Sequence, residues 1–263
     1  MVVSILGCGW YGLPLAKKLL IKGFTVKGST TTVEKLNLLA AERIISYHID
    51  LAGAATFDEA FFDCDLLWIA VPPKARAGKG LEYIAQLSML IELIKIHKIQ
   101  QVVLISSTGV YGYSNTIVNE SDDPNPDSES GKILLQAENL LRDQTGFTTT
   151  IIRFGGLIGP GRDPGRFFAG KLNVPNGDAP VNLIHLDDCL GISCALLDKK
   201  AFGNTFNAVN PEHPTKEEFY TFAAKKSGLP IPLFIGEKNN WKIITSINVP
   251  ELLLYDFKVE LLQ

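Results

Sequence analysis

Residues 2–12 read Val2-Val3-Ser4-Ile5-Leu6-Gly7-Cys8-Gly9-Trp10-Tyr11-Gly12, and the reading of the whole chain turns on them. Val2–Leu6 is short, apolar and rich in β-branched residues, as a buried strand requires, and it stops at glycine. Beyond it Leu13, Ala16, Leu19 and Leu20 recur at helical spacing until Gly23 closes the stretch. Strand, turn and helix in that order give the three glycines separate tasks. Gly7 permits a tight turn, Gly9 lets a pyrophosphate approach the backbone, and Gly12 allows the helix to lie close to the sheet. The anion would rest on the helix amino end, with Trp10 and Tyr11 part of the same contact surface. The bland alternative is a structural glycine-rich turn.

Working outward, Phe24–Gly28, Ile44–Ile49, Asp65–Val71, Gln101–Ile105 and Thr148–Phe154 read as further strands. They are continuously apolar rather than alternating, and helical patterns separate them: Val33–Ala41, the face carrying Leu81, Ile84, Leu87, Ile91 and Ile94, and Lys132–Gln144. This is the signature of a parallel sheet covered on both faces, an α/β fold of the Rossmann-type doubly wound kind. Pro72 and Pro73 halt the fourth strand, so Ala70, Val71 and Pro72 fall at the carboxyl edge, where such sheets place ligands. Residues 1–155 are expected to form this domain. Residues 156–263 are expected to build a small C-terminal substrate lobe, with pieces around Asp187–Lys199 and Thr205–Val209 returning to the sheet, then a helix at Lys216–Ser227. Asn115–Gly131 reads as an exposed polar loop, and Gly155–Pro180 as loops over the carboxyl edge.

The balance of 25 Lys+Arg against 28 Asp+Glu gives a net charge of −3, which argues against a nucleic-acid partner. No run approaches the apolar length of a membrane span, and Met1–Leu20 lacks the basic region of a signal peptide. Cys8, Cys64, Cys189 and Cys194 are scattered without a CxxC pair, which points to reduced thiols, the cytoplasm and no metal site. A small-molecule substrate is the expected partner; a homodimer remains open.

An acidic residue about 20 positions after the glycine turn accepts from the adenosine ribose in NAD-selective proteins. This chain has Gly28-Ser29-Thr30-Thr31 there and no carboxylate before Glu34. Hydroxyls can donate to a 2′-phosphate, and Lys27 or Lys35 can add charge, so NADP is expected ahead of NAD. Ser29–Thr32 can equally cap the second helix.

Ser106-Ser107-Thr108-Gly109-Val110-Tyr111-Gly112 follows the fifth strand, and there the chain resembles the extended short-chain dehydrogenase/reductase family of nucleotide-sugar epimerases and dehydratases. Its GxGxxG resembles that of the family's atypical branch. Asp50-Leu51 resembles the family's adenine-contacting pair. Arg153-Phe154, Ile158-Gly159-Pro160-Gly161-Arg162, Asn182-Leu183-Ile184-His185-Leu186-Asp187-Asp188 and Phe206-Asn207 resemble its later motifs. The resemblance implies that Ser107 polarises substrate, that Ser106 lies near the cofactor, and that Lys132 is the lysine of a YxxxK pair. The tyrosine of that pair is replaced by Ser128, whose hydroxyl is far less acidic than a phenol. Tyr111 or Tyr113 could stand in for it, Ser107 could work with an ordered water, or the protein binds cofactor without turnover. The function read from the chain is thus an NAD(P)-binding oxidoreductase or epimerase-like protein acting on a small polar substrate. The alternative is a non-catalytic cofactor sensor or scaffold.

His185 reads as a structural histidine, with Asp188 capping the helix after it. Arg162, Arg166 and Lys171 are either anion contacts or solvated loop charges.

Overall fold

Leu66, Leu67, Trp68 and Ile69 are all fully buried, which a strand achieves only when both faces of its sheet are covered. The computed structural model describes residues 1–51, 58–73 and 80–263. In it the sheet strands are β1 (Val2–Leu6), β2 (Thr25–Thr30), β3 (Ile45–His48), β4 (Leu66–Ile69), β5 (Gln101–Ser107), β6 (Thr148–Phe154) and β7 (Thr205–Ala208). They lie in the order 7-6-5-4-1-2-3, every neighbouring pair parallel. The chain steps outward from β1 to β3, then returns to the far side of β1 for β4. That reversal opens a crevice at the carboxyl ends of β1 and β4.

Alternate side chains divide between the two faces. Val3, Ile5, Leu66, Trp68 and Val103 pack with Leu15 and Leu19 of α1 (Gly12–Ile21) and with Ile192 and Leu196 from the second half of the chain. Leu6, Leu67, Ile69, Val102 and Leu104 pack on the opposite face. Their partners are Leu87, Leu90 and Ile94 of α3 (Gly80–Ile96) and Ala137 and Leu141 of α4 (Glu129–Arg142). The helix between, α2 (Leu36–Ala41), is short and preceded by a 3₁₀ turn at Val33–Lys35. In the second half, α5 (Leu186–Lys199) packs on α1, while α6 (Lys216–Lys226) packs on a turn at Pro164–Arg166.

Three local expectations change. The α4 helix begins at Glu129 rather than Lys132, because Ser128 is its extended N-cap: the Gly131 amide donates to Ser128 Oγ at 3.1 Å. The Asn115–Gly131 stretch is exposed at many positions yet stitched down, since Ile117–Val118 pairs parallel with Ile243–Ile244 and Glu120 accepts from the Asn207 and Ile247 amides. Asp188 does not cap α5; that cap is His185, whose Nδ1 accepts from the Asp187 amide at 3.2 Å. Asp188 is fully buried and holds the C-terminal tail through the Tyr255 hydroxyl and the Lys258 and Val259 amides.

A charged pair runs through the interior. Arg153 on β6 donates from Nε and Nη2 to the fully buried Glu138 carboxylate, at 3.0 and 2.6 Å, and Ser106 Oγ donates to the same carboxylate at 2.6 Å. Removing one partner strands a buried charge, whereas removing both can be nearly neutral. Arg153→Met should therefore cost about 3–5 kcal/mol in urea unfolding, and adding Glu138→Leu should restore part of that loss.

Candidate functional site

The turn after β1 is shaped by absent side chains. Gly7 has φ +101°, and a Cβ there would sit 2.9 Å from Val71 Cγ1 and press on the Ala70 carbonyl. Its amide donates to Ser29 Oγ at 2.9 Å, and the Cys8 amide donates to the Ser29 carbonyl at 2.8 Å, so the end of β2 braces the turn. A Cβ on Gly12 would overlap the Gly7 carbonyl oxygen, which is why the first turn of α1 can fold back so closely. Gly9 differs: nothing stands within 4 Å of where its Cβ would be. The helix start carries no side-chain cap and no acidic residue in its first turn, so its positive dipole end suits an anion, while the Leu13 amide donates to the Gly9 carbonyl at 3.1 Å and Pro14 has no N–H to offer.

This turn floors a cleft of about 290 Å³. Gly7 and Gly9 line it with Ser29 and Thr30 of β2 and Thr31 just beyond it, with Asp50 and Leu51 after β3, and with Ala70, Val71 and Pro72 after β4. The expected ligand-facing residues thus converge at the crevice between β1 and β4, on its β2–β3 side. Their tasks differ. Ser29 is buried and spent on the turn, and Thr30 Oγ1 accepts from the Thr32 amide at 3.1 Å, whereas Thr31 is exposed. Among the described residues lining the cleft, Lys35 is the basic one. Lys27 is not available there, since its ammonium donates to the carbonyls of Ala60 and Asp63 at 2.5 and 2.7 Å.

Other expected residues lie off the described walls of this cleft. Tyr11 turns into the core, its hydroxyl 2.6 Å from Ser193 Oγ and its ring edge-on to Phe154. Trp10 instead reaches outward, donating from Nε1 to the Pro160 carbonyl at 2.6 Å, with the Arg162 guanidinium 4.3 Å from its ring centre. The Gly159–Arg162 loop is thereby pinned over the glycine turn, and Arg162 has a stacking task. Arg166 is exposed beside Asp163, and the Lys171 ammonium lies over Phe168. Ser106 faces Glu138, as described.

The residues read as catalytic are not gathered into one cluster. Lys132 projects into solvent and pairs with Glu129 at 2.8 Å, which raises its pKa. Ser128 is committed to the cap. The Tyr111 hydroxyl is buried, accepting from Arg153 Nη1 at 2.6 Å and donating toward the Asn119 carbonyl, with Asn207 Oδ1 at 3.2 Å. Burial pushes its phenol above the ordinary range despite the nearby Arg153, opposite to what proton exchange at neutral pH asks. Tyr113 is exposed, on a small surface hollow of about 110 Å³ with Asp123 and Asp127. Ser107 is half-buried at the carboxyl end of β5, where its Oγ accepts from the Gly109 amide at 3.1 Å. That geometry leaves the hydroxyl proton pointing elsewhere, the arrangement a substrate oxygen could use.

Lys242 was not legible in the sequence. Its ammonium is half-buried and donates to the backbone carbonyls of Thr108, at 3.0 Å, and of Tyr111, while desolvation lowers its pKa to about 8. It clamps the turn that follows Ser107. Among the described residues no group of three or more His, Cys, Asp or Glu is placed to hold a metal ion, and no helix is long and apolar enough to cross a membrane.

Against known proteins, a family described as NAD(P)H-binding matches residues 7–180. Protein YeeZ of Escherichia coli K12 is 38% identical over 245 residues, which cover 91% of this chain and 89% of that one. UDP-glucuronic acid 4-epimerase from Bacillus cereus, solved in complex with NAD, superposes with a TM-score of 0.81 at 20% identity, covering 100% of this chain and 93% of the other. UDP-glucose 4-epimerase from Thermotoga maritima, solved with UDP-glucose, gives 0.79 at 17% identity over 99% and 95%. A functionally unknown conserved protein from Silicibacter pomeroyi gives 0.80 at 19% over 98% and 94%. At these identities the structural likeness is one of fold.

The open side of Gly9 and the closed side of Gly12 separate ligand effects from folding effects. Gly9→Val should keep the melting temperature near that of the unmodified protein yet abolish thermal stabilisation by added NAD(P). Gly12→Ala should lower the melting temperature itself. Both are read in one series of melts with and without cofactor.

Proposed function

The chain belongs to the NAD(P)H-binding family, and from that premise we propose that it holds an intact NAD(P) molecule across the β1–β4 crevice, with NADP bound ahead of NAD. The observation that carries this reading is the uncapped start of α1 beside an unobstructed Gly9. The pyrophosphate rests there, and the adenosine half fills the cleft toward β2 and β3. The preference for NADP is supported by the exposed Thr31 hydroxyl and the Lys35 ammonium at one wall, with no carboxylate within β2. Asp50, which follows β3, lines the same cleft.

The activity proposed is that of an oxidoreductase or epimerase-like protein acting in the cytoplasm on a small polar substrate. Hydride passes to or from the nicotinamide, Ser107 orients the substrate oxygen, and water rather than a tyrosine–lysine pair exchanges the proton. The half-buried Ser107, with its oxygen already accepting from Gly109, supports this assignment. A second reading, a cofactor sensor or scaffold without turnover, is favoured by the engagement of Ser128, Lys132 and Tyr111 elsewhere.

Thr31→Asp tests the cofactor assignment. Its carboxylate would repel a 2′-phosphate and accept from a ribose diol, so calorimetric titration should show NADP ahead of NAD in the unmodified protein and the reverse order in the variant. A clear NAD preference in the unmodified protein would refute the NADP assignment.

A further inference from the structure

Tyr83 stands in the first turn of α3 and is 3% exposed. Its ring is packed in the core layer that holds Leu6, Ile49, Ile69 and Leu87. Its hydroxyl is buried and meets no hydrogen-bond partner among the described residues. Nothing in packing calls for that oxygen, because phenylalanine would fill the same volume without desolvating a polar group. Buried tyrosines normally find a partner for the hydroxyl. The same side chain lines the cleft walled by Thr31, Asp50, Leu51 and Val71. An acceptor that reaches this enclosed hydroxyl from the cleft would complete its hydrogen bonding.

Burial holds the Tyr83 phenol well above its ordinary pKa, so it stays a neutral O–H donor throughout the physiological range. A donor on the β3 and β4 side of the crevice faces the portion of a dinucleotide that lies beyond the pyrophosphate from the nicotinamide. Adenosine offers acceptors in its ring nitrogens and ribose oxygens. We infer that Tyr83 is a specificity-determining residue of the cleft, and that its hydroxyl donates to an acceptor on the adenosine half of the bound nucleotide. This rests on the dinucleotide reading given above. A site that leaves a buried donor unpaired until the right ligand arrives discriminates against ligands that lack the acceptor.

Two signatures follow together. Tyr83→Phe removes an unpaired buried hydroxyl from the ligand-free protein, so its melting temperature should match or exceed that of the unmodified protein. The same change removes one ligand hydrogen bond, so AMP and NADP should each bind about tenfold more weakly, while nicotinamide mononucleotide should bind unchanged. The experiment titrates these three nucleotides into both proteins by calorimetry and melts both proteins without ligand. Equal AMP and NADP affinities in the two proteins overturn the role of Tyr83 and leave the dinucleotide reading standing. A lower ligand-free melting temperature with unchanged affinities assigns the hydroxyl to the fold and likewise overturns it. If the unmodified protein binds neither AMP nor NADP, both readings fall.

Discussion

The contact between Gly12 and the Gly7 carbonyl is the constraint on which the site depends. No side chain fits between them, so α1 starts close against the turn that follows β1, with its positive dipole end on that turn. Ser29 then ties the turn to β2, and Val71 closes against it from the end of β4. One turn therefore fixes the relation of three strand ends, and the cleft is the space left between them. Gly9 belongs to the same turn, and nothing stands within 4 Å of where its Cβ would be.

Much of this was legible in residues 2–12 because the signal there is local. A strand that stops at glycine, three spaced glycines and a helical pattern depend on neighbours a few residues away, and β1 and β6 match their expected bounds. The parallel sheet followed from runs without alternation, which is how a strand covered on both faces reads. What the sequence could not display were contacts between distant segments. Asn115–Gly131 looks like a solvated loop by composition, yet Glu120 joins it to Asn207 and Ile247. Asp188 looked like a helix cap by position, and only the returning tail shows why it is buried. Lys242 and Tyr83 carried no motif, because a clamp on a carbonyl and a missing partner exist only in three dimensions.

The resemblance to the extended short-chain dehydrogenases was most informative where the chain departs from it. The resemblance implies a tyrosine four residues before Lys132, where this chain has Ser128, and the structure gives that serine another task. Ser128 ends the loop and Lys132 lies on the solvent side of α4, so restoring a tyrosine there would not by itself rebuild an acid–base pair. The buried face of α4 is given instead to Gly131, Leu134 and Glu138, and Glu138 binds Arg153. Arg153 in turn holds the Tyr111 hydroxyl, so the tyrosine nearest in sequence to Ser107 belongs to a polar network in the core. That network fixes the carboxyl ends of β5 and β6 while withholding its groups from proton transfer.

The most direct measurement is a structure of the protein with NADP bound. The account predicts the pyrophosphate against the backbone at Gly9 and the start of α1, the adenosine between Thr31 and Asp50, and the nicotinamide over the ends of β4 and β5 toward Ser107. Lys132 would still pair with Glu129. A complex in which Lys132 has swung in to hydrogen-bond the nicotinamide ribose, or in which the pyrophosphate avoids Gly9, would contradict it.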